Sequence, residues 1–251
     1  MKRLLVMPPA YNEQKDIAAL FEAWLKEEKN IEALGYKLEL VPINDHSTDE
    51  TLNIIISYEK SRPDVFTDHI NHPVNKGLGG GLNSALTYFY KNSSLKDVLC
   101  IMDADNTQSP EYIVKMLEKI EDHDVVIASR YCDDSKVKGV PPVRLFLSEG
   151  ARFYYKLVLG IKGVEDYTCG YRLYSHEIIS RLFEKYKDNP IKNSSFACMM
   201  ELLYKLSSLG ASFAEVGFVL RYDKKQGASK IKIIKTILDS LLTALKIRFS
   251  A

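Results

Sequence analysis

Apolar and polar positions alternate along the first half of the chain in a regular order. Continuous apolar runs at residues 4–7, 38–43, 98–102 and 125–128 predict buried strands, with a weaker one near 66–70. Between them, apolar residues recur three and four apart at 17–29, 48–59, 82–90 and 112–120, which predicts helices. Strand–helix alternation of this kind predicts an α/β fold, a Rossmann-like, mostly parallel sheet with helices on both faces. Ligands of such sheets bind beyond the C-terminal ends of the strands. The polar segments following the runs are therefore the candidate site: "PPAYNE", "INDHSTDE", "DADNTQSPE" and "SRYCDDS".

The second half loses this alternation. "PPVRLFLSEGARFYYKLVLG" predicts a helix after its prolines, "YTCGYRLYS" a strand or hairpin, and "SFACMMELLYKLSSLG" a helix ending at Gly210. "SFAEVGFVLRY" predicts a further strand. No linker divides the chain, so residues 1–230 are expected to form one domain, with 231–251 a C-terminal amphipathic helix. That helix places Ile234, Leu238, Leu241 and Leu245 on one stripe, with Lys232, Lys235, Lys246 and Arg248 mostly elsewhere. Two readings stay open for it: packing on the body or a partner chain, or lying on a membrane surface.

Composition changes this picture little. With 251 residues, 46% hydrophobic and 27% charged, the chain is of ordinary globular make-up. No apolar run approaches the ~18 residues of a membrane span, and Pro8 and Pro9 cut short the N-terminal run, which reads as a first strand rather than a signal peptide. Four scattered cysteines predict reduced structural thiols of a cytosolic protein, without a zinc site or disulfide framework. Charge is more informative. The net value is +1, yet from Arg221 onward eight Lys or Arg face two Asp, leaving −5 for the preceding residues. A basic tail on an acidic body points to a surface for phosphates, acidic lipid or nucleic acid.

The chemistry starts at "DADNTQSPE". Side chains two apart in a strand share a face, so Asp103 and Asp105 lie within about 7 Å of each other. Two such carboxylates repel unless a cation bridges them, which leaves either a capped turn or a divalent-metal site. "HPVNKGLGGGLNSAL" opens a helix at Lys76 and Gly77, and its N–H groups suit a phosphate, although close packing explains the glycines equally. Its spacing is neither a P-loop nor a dinucleotide fingerprint. Asp45 ends a strand, free to meet a ribose or base, while its neighbours carry helix-capping chemistry. Arg130, Arg144 and Ser148, with "KKQGASK", could form a cationic phosphate pocket, or the arginines could be structural ion pairs. The five histidines show no metal spacing and are expected in surface or loop positions.

Taken in order, "PPAYNE", "INDHSTDET", "NKGLGGGLNSAL", "MDADNTQSPE", "ASRY", "VEDYTCGYRLYS", "MELLYKLSSLG" and "YDKKQGASK" resemble the family-2 glycosyltransferases of GT-A fold, over residues 6–230. Among these, the dolichol-phosphate mannose synthases and related polyprenyl-phosphate glycosyltransferases are most similar. The resemblance implies an inverting, metal-dependent transferase moving a sugar from a nucleotide-sugar donor, GDP-mannose or a UDP-sugar, to a polyprenyl phosphate. It places Pro9, Tyr11, Glu13 and Asp45, with Lys76 and Gly77, at the nucleotide-sugar. Asp103 and Asp105 match the DXD motif that binds Mg2+ or Mn2+, with Gln108, Thr107 or water completing the shell. Arg130, Arg144 and Ser148, with Lys224 and Lys230, match the acceptor-phosphate side, and Asp166 an acidic position near the sugar. The implied setting is peripheral, at the cytoplasmic face of a membrane, with no nucleic-acid partner.

Three positions depart from the family pattern: Asn44 stands for a usual aspartate, Thr107 for a usual glutamine, and Lys224 for a usual arginine. The enzymatic alternative adds a sugar to a saccharide hydroxyl of a surface polysaccharide, which requires a carboxylate base, Asp166 first and Glu201 second. A sugar nucleotidyltransferase would carry a glycine-rich loop after its first strand, where this chain has "PPAYNE". A non-catalytic nucleotide-binding subunit would have no need of two adjacent carboxylates.

Overall fold

The computed structural model describes residues 1–224 and 233–249, with side chains from 240 onward in the last helix. Lys230, Lys232 and most of the "KKQGASK" block lie outside the described residues, as do the side chains of Ile234, Lys235 and Leu238.

Two proline breaks shape the C-terminal edge of the sheet. The chain runs through β1 (Lys2–Val6), β2 (Pro9–Ala10), α1 (Ile17–Ala33), β3 (Tyr36–Leu40) and β4 (Ile43–Asn44). The single strand expected at 38–43 is thus two strands. Pro42, like Pro8, has no N–H for a ladder, and both chains leave the main sheet there. They pair again further out, as Pro9↔Ile43 and Ala10↔Asn44. After α2 (Thr51–Ser61), β5 (Ile70–Asn71) joins them in a three-stranded parallel sheet, so "PPAYNE" and "INDHS" lie side by side.

There follow α3 (Gly77–Asn92), β6 (Val98–Ile101), a 3-10 turn (Pro110–Tyr112), α4 (Ile113–Ile120) and β7 (Val125–Ser129). The second half supplies β8 (Lys136–Lys138), α5 (Pro142–Leu159), β9 (Arg172–Ser175), α6 (His176–Tyr186), α7 (Cys198–Ser208), β10 (Phe213–Gly217), β11 (Val219–Arg221), a second 3-10 turn (Tyr222–Lys224) and α8 (Ile233–Phe249). The main sheet is ordered β10-β7-β9-β6-β1-β3, and β9 alone runs antiparallel to its neighbours. Every residue of β6 and β7 is buried, as expected of strands covered on both faces. The expected strand "SFAEVGFVLRY" also divides: buried Phe218 separates β10, in the main sheet, from β11, which pairs with β8.

Helix α3 starts at Gly77, five residues before the predicted 82, so its glycines form the first turns of the helix. Packing is the reason. A Cβ on Gly79 would lie 1.9 Å from the Asn193 carbonyl oxygen, and one on Gly81 would lie 2.9 Å from Pro9 Cβ. Helix α5 begins at its prolines and ends at Gly160, whose φ of 58° is a left-handed cap. Helix α8 docks on α5: Tyr154 donates to the Leu241 carbonyl at 2.9 Å, and the Tyr155 and Ser240 hydroxyls lie 2.7 Å apart. The four cysteines are unpaired, and three are buried. Among the described residues, no helix is long and apolar enough to cross a membrane.

Candidate active site

The carboxylate pair sits where β6 ends. Asn106 adopts φ 55°, a left-handed conformation that asparagine tolerates, and folds the chain back on itself. Thr107 then donates its hydroxyl to Asp105 Oδ1 at 2.6 Å. The Gln108 amide donates to Asp103 Oδ2 at 2.8 Å. Gln108 and Thr107 therefore orient the two carboxylates. Gly170 completes the cradle, because a Cβ there would come within 2.7 Å of Asp103 Oδ1. Among the described residues, the one set of three His, Cys or carboxylate groups close enough to share an ion is Glu59, Asp68 and His69, in α2 and before β5. Asp103 and Asp105 offer two carboxylates at the end of β6. Such a pair suits a hard cation like Mg2+ or Mn2+ that takes its other ligands from substrate phosphates and water.

A cavity of about 290 Å3 opens beside the pair. It brings together Asp103, Asp105, Thr107, Gln108, Arg130, Arg144 and Ser148, which the sequence scatters over 46 positions. Arg130 leaves the end of β7 and grips Asp166 through Nε at 2.8 Å and Nη2 at 2.6 Å. Asp166 is fully buried and also accepts the N–H groups of Arg130, Thr168 and Cys169. Burial alone would raise its carboxyl, but the guanidinium and these donors outweigh burial and hold it below the usual carboxylate range. Glu215 on β10 holds the same loop by accepting the N–H groups of Glu165 and Asp166 at 2.7 and 2.8 Å. Asp166 does not line the cavity; it holds Arg130 at the wall.

Tyr131 is a cavity residue that the sequence did not single out. Its ring meets two guanidiniums, Arg152 at 4.4 Å and Arg130 at 5.5 Å from the centroid. Its hydroxyl is 2.8 Å from Ser148 Oγ. Arg144 stacks on Tyr222 at 4.9 Å and donates to its hydroxyl at 3.0 Å. Lys224 is exposed and outside the cavity lining. The only signal for Tyr131 was its place directly after Arg130.

The residues expected at the nucleotide-sugar lie on or next to the small sheet instead. Asp45 is buried and accepts the N–H groups of Lys76 at 2.8 Å and Gly77 at 2.9 Å, so it caps α3. His72, in the loop after β5 as expected, is buried rather than at the surface: Nδ1 lies 2.7 Å from Asp45 Oδ1 and Nε2 lies 2.8 Å from Ser84 Oγ. No metal spacing could have revealed it, because its partners are 27 and 12 residues away. Asn44, also buried, donates to Asn71 at 2.8 Å and so ties β4 to β5. Tyr11 is exposed, Pro9 packs near Gly81, and the Glu13 N–H donates to Thr51. Lys76 lines a second cavity, of about 590 Å3, between α3 and residues 189–194.

A mostly parallel sheet with one antiparallel strand and helices packed on it is the fold of the GT-A glycosyltransferases. The chain belongs to glycosyl transferase family 2, whose family model matches residues 6–183. It is 26% identical over 232 residues to the polyprenol monophosphomannose synthase of Mycolicibacterium smegmatis, covering 92% of this chain and 81% of that protein. It is 30% identical over 241 residues to the dolichol-phosphate mannosyltransferase of Pyrococcus furiosus, covering 95% of this chain but 62% of that longer protein. In fold it is similar to glucosyl-3-phosphoglycerate synthase from Mycobacterium tuberculosis, solved with Mn2+, UDP and glucosyl-3-phosphoglycerate. The TM-score is 0.67 at 17% identity, over 99% of this chain and 80% of that one.

Proposed function

We propose that this chain transfers a sugar, with inversion, from a nucleotide-sugar donor to a polyprenyl phosphate at a membrane surface. One observation carries the reading: a single cavity joins the Asp103–Asp105 pair to Arg130, Arg144, Tyr131 and Ser148. A nucleotide diphosphate suits the acidic end once a divalent cation is bound there, and an anionic acceptor suits the arginine end. The names of the mannosyl-transferring relatives, polyprenol monophosphomannose synthase and dolichol-phosphate mannosyltransferase, support the same substrate classes.

The alternative acceptor, a sugar hydroxyl, needs a carboxylate base. Both candidates for that base are committed elsewhere. Asp166 is spent on Arg130, and Glu201 accepts the N–H groups of Lys192 and Asn193 and pairs with Lys205 at 2.5 Å. A phosphate acceptor is already an anionic nucleophile and asks only to be held in line with the bond that breaks.

When bound, a cation on Asp103 and Asp105 would supply charge stabilisation to the departing diphosphate. The chain's own groups do the rest. Thr107 and Gln108 keep the carboxylates turned, Arg130 and Arg144 hold the acceptor phosphate, and its oxygen attacks the anomeric carbon as the bond to the diphosphate breaks. Tyr131 and Ser148 add hydroxyl donors, and Val137, Val140, Phe218 and Leu220 keep that end of the cavity apolar. The nucleotide lies toward Pro9, Tyr11, Glu13, Asp45 and the Lys76–Gly77 end of α3.

The test is transfer from GDP-mannose, UDP-glucose or UDP-N-acetylglucosamine to undecaprenyl or dolichyl phosphate, with Mg2+, Mn2+ or a chelator. One donor should give a product that the chelator abolishes, and Asp105→Asn should lose about 100-fold or more of the rate. Full activity of that variant in a metal-controlled assay would sink the metal assignment.

A further inference from the structure

His72 sits between a carboxylate and a hydroxyl. Its Nδ1 lies 2.7 Å from Asp45 Oδ1, and its Nε2 lies 2.8 Å from Ser84 Oγ. The three come from the end of β4, the loop after β5 and helix α3. Asp45 also accepts the Lys76 and Gly77 N–H groups at the positive end of α3, which favours its charged form. A carboxylate can only accept, so Nδ1 carries the ring proton, and in the neutral ring Nε2 accepts from the Ser84 hydroxyl. A hydroxyl within reach of a base that a third group orients is the signature of an activated serine. His176 makes the contrast. Its Nδ1 lies 2.8 Å from Ser93 Oγ and its Nε2 lies 3.2 Å from Ser180 Oγ, so neither nitrogen is left for a carboxylate.

Ser84 also faces open space. It lines the cavity of about 590 Å3 between α3 and residues 189–194, while His72 and Asp45 are buried behind it. Lys76, Gly80, Ser84, Thr87 and Lys91 follow one side of α3 at three- and four-residue spacing. The Lys76 stem folds over Gly80, one turn before Ser84, where a Cβ would come within 2.2 Å of Lys76 Cβ. Lys192 reaches the cavity from the opposite wall. Among the described residues, three lysines and no carboxylate line it. Such a cavity favours a substrate with negative charge, and its ammonium groups suit the charge that grows on an acyl oxygen under attack.

We propose that Asp45, His72 and Ser84 form a nucleophilic relay that gives this chain a second activity, hydrolysis of acyl esters or thioesters of anionic molecules. Ser84 Oγ attacks the acyl carbon as its proton passes to His72 Nε2. The bond to the departing oxygen or sulfur breaks, and that atom takes the proton from Nε2. Water then attacks the Ser84 ester and gives a proton to Nε2, which returns it to Ser84 Oγ as the carboxylic acid leaves. The activity is separate from sugar transfer, since neither His72 nor Ser84 lines the cavity of Asp103 and Arg130.

Treating the full chain with an alkyl fluorophosphonate and locating the adduct by mass spectrometry tests the relay. Ser84 should be labelled about 100-fold or more faster than Ser93 or Ser180, and His72→Gln should slow it by a similar factor. If His72→Gln fails to fold in a thermal melt, the wild-type adduct and Ser84→Ala still decide. Above the rate in buffer, wild type should hydrolyse mono-4-nitrophenyl adipate about tenfold faster than neutral 4-nitrophenyl acetate. Ser84→Ala should lose both activities and keep sugar transfer within about twofold. Lys91→Ala/Lys192→Ala should lose the preference for adipate and keep acetate hydrolysis within about twofold. Labelling elsewhere than Ser84, equal labelling of Ser93, or hydrolysis that survives Ser84→Ala overturns the proposal. A Ser84 adduct without turnover of either ester overturns the hydrolysis, and equal rates on the two esters overturn the anionic substrate class. If Ser84-dependent hydrolysis is found but no sugar is transferred, the relay stands and the transferase reading fails.

Discussion

Arg130 has two tasks that pull its substitution in different directions. It lines the cavity, and it neutralises a carboxylate with no access to solvent. Arg130→Ala would leave Asp166 buried and unpaired, at a cost of about 3–5 kcal/mol, so its loss of activity would report folding as much as catalysis. Arg130→Lys keeps the charge and gives up the fork. The expected outcome is a folded enzyme whose KM for the acceptor phosphate rises about tenfold or more, with the donor KM changed less. Equal rises for both substrates would remove Arg130 from the acceptor side. That Arg130 matters was legible from its place at a strand end. That Asp166, 36 residues on, is its partner was not, because sequence spacing carries no record of which loop a sheet folds against which.

Element by element, the same distinction holds. The strands of the first half were readable because each must bury both faces, and the loops behind them carry the site. Their proline breaks were visible as prolines but not as a change of sheet, since the new partners, β4 with β2 and β5, come from distant segments. Helix α3 started earlier than its apolar pattern because packing, not periodicity, selected its first residues. Two glycines test this. Gly79→Ala forces a methyl against the Asn193 carbonyl and should cost about 1–3 kcal/mol. Gly150, in the middle of α5, meets nothing within 4 Å, so Gly150→Ala should add about 0.5–1 kcal/mol by helix propensity. Thermal melts should shift by about 2–4 °C per kcal/mol, in opposite directions. A Gly79→Ala protein that melts with wild type would show that residues 189–194 can move aside.

For the whole molecule, carboxylates of opposite tendency set the response to acid. Asp97 ties the start of β1 to the turn before β6. Burial acts to raise it, but the Ser94 N–H at 2.9 Å and Arg3 at 2.7 Å outweigh burial and hold it below the usual range. Asp166 is depressed in the same way. Both contribute stability that is present above their unfolded values of about 3.9 and is lost as pH falls through the lower native ones. Glu215 works the other way. Burial pushes its carboxyl up, so its contribution is full below an unfolded value of about 4.3 and is lost as pH rises through the native one. Glu215→Gln keeps an oxygen for the Glu165 and Asp166 N–H groups and removes the half-buried charge. It should therefore be at least as stable as wild type at pH 7, and any advantage should vanish as pH drops toward 4 in urea unfolding. Asp97→Asn should show the reverse, a deficit of about 1–3 kcal/mol at pH 7 that narrows below pH 4. If Glu215→Gln is instead weaker than wild type by the same margin at every pH, Glu215 acts through its hydrogen bonds alone. The Arg130–Asp166 wall of the cavity would then depend on the geometry of β10 rather than on its charge.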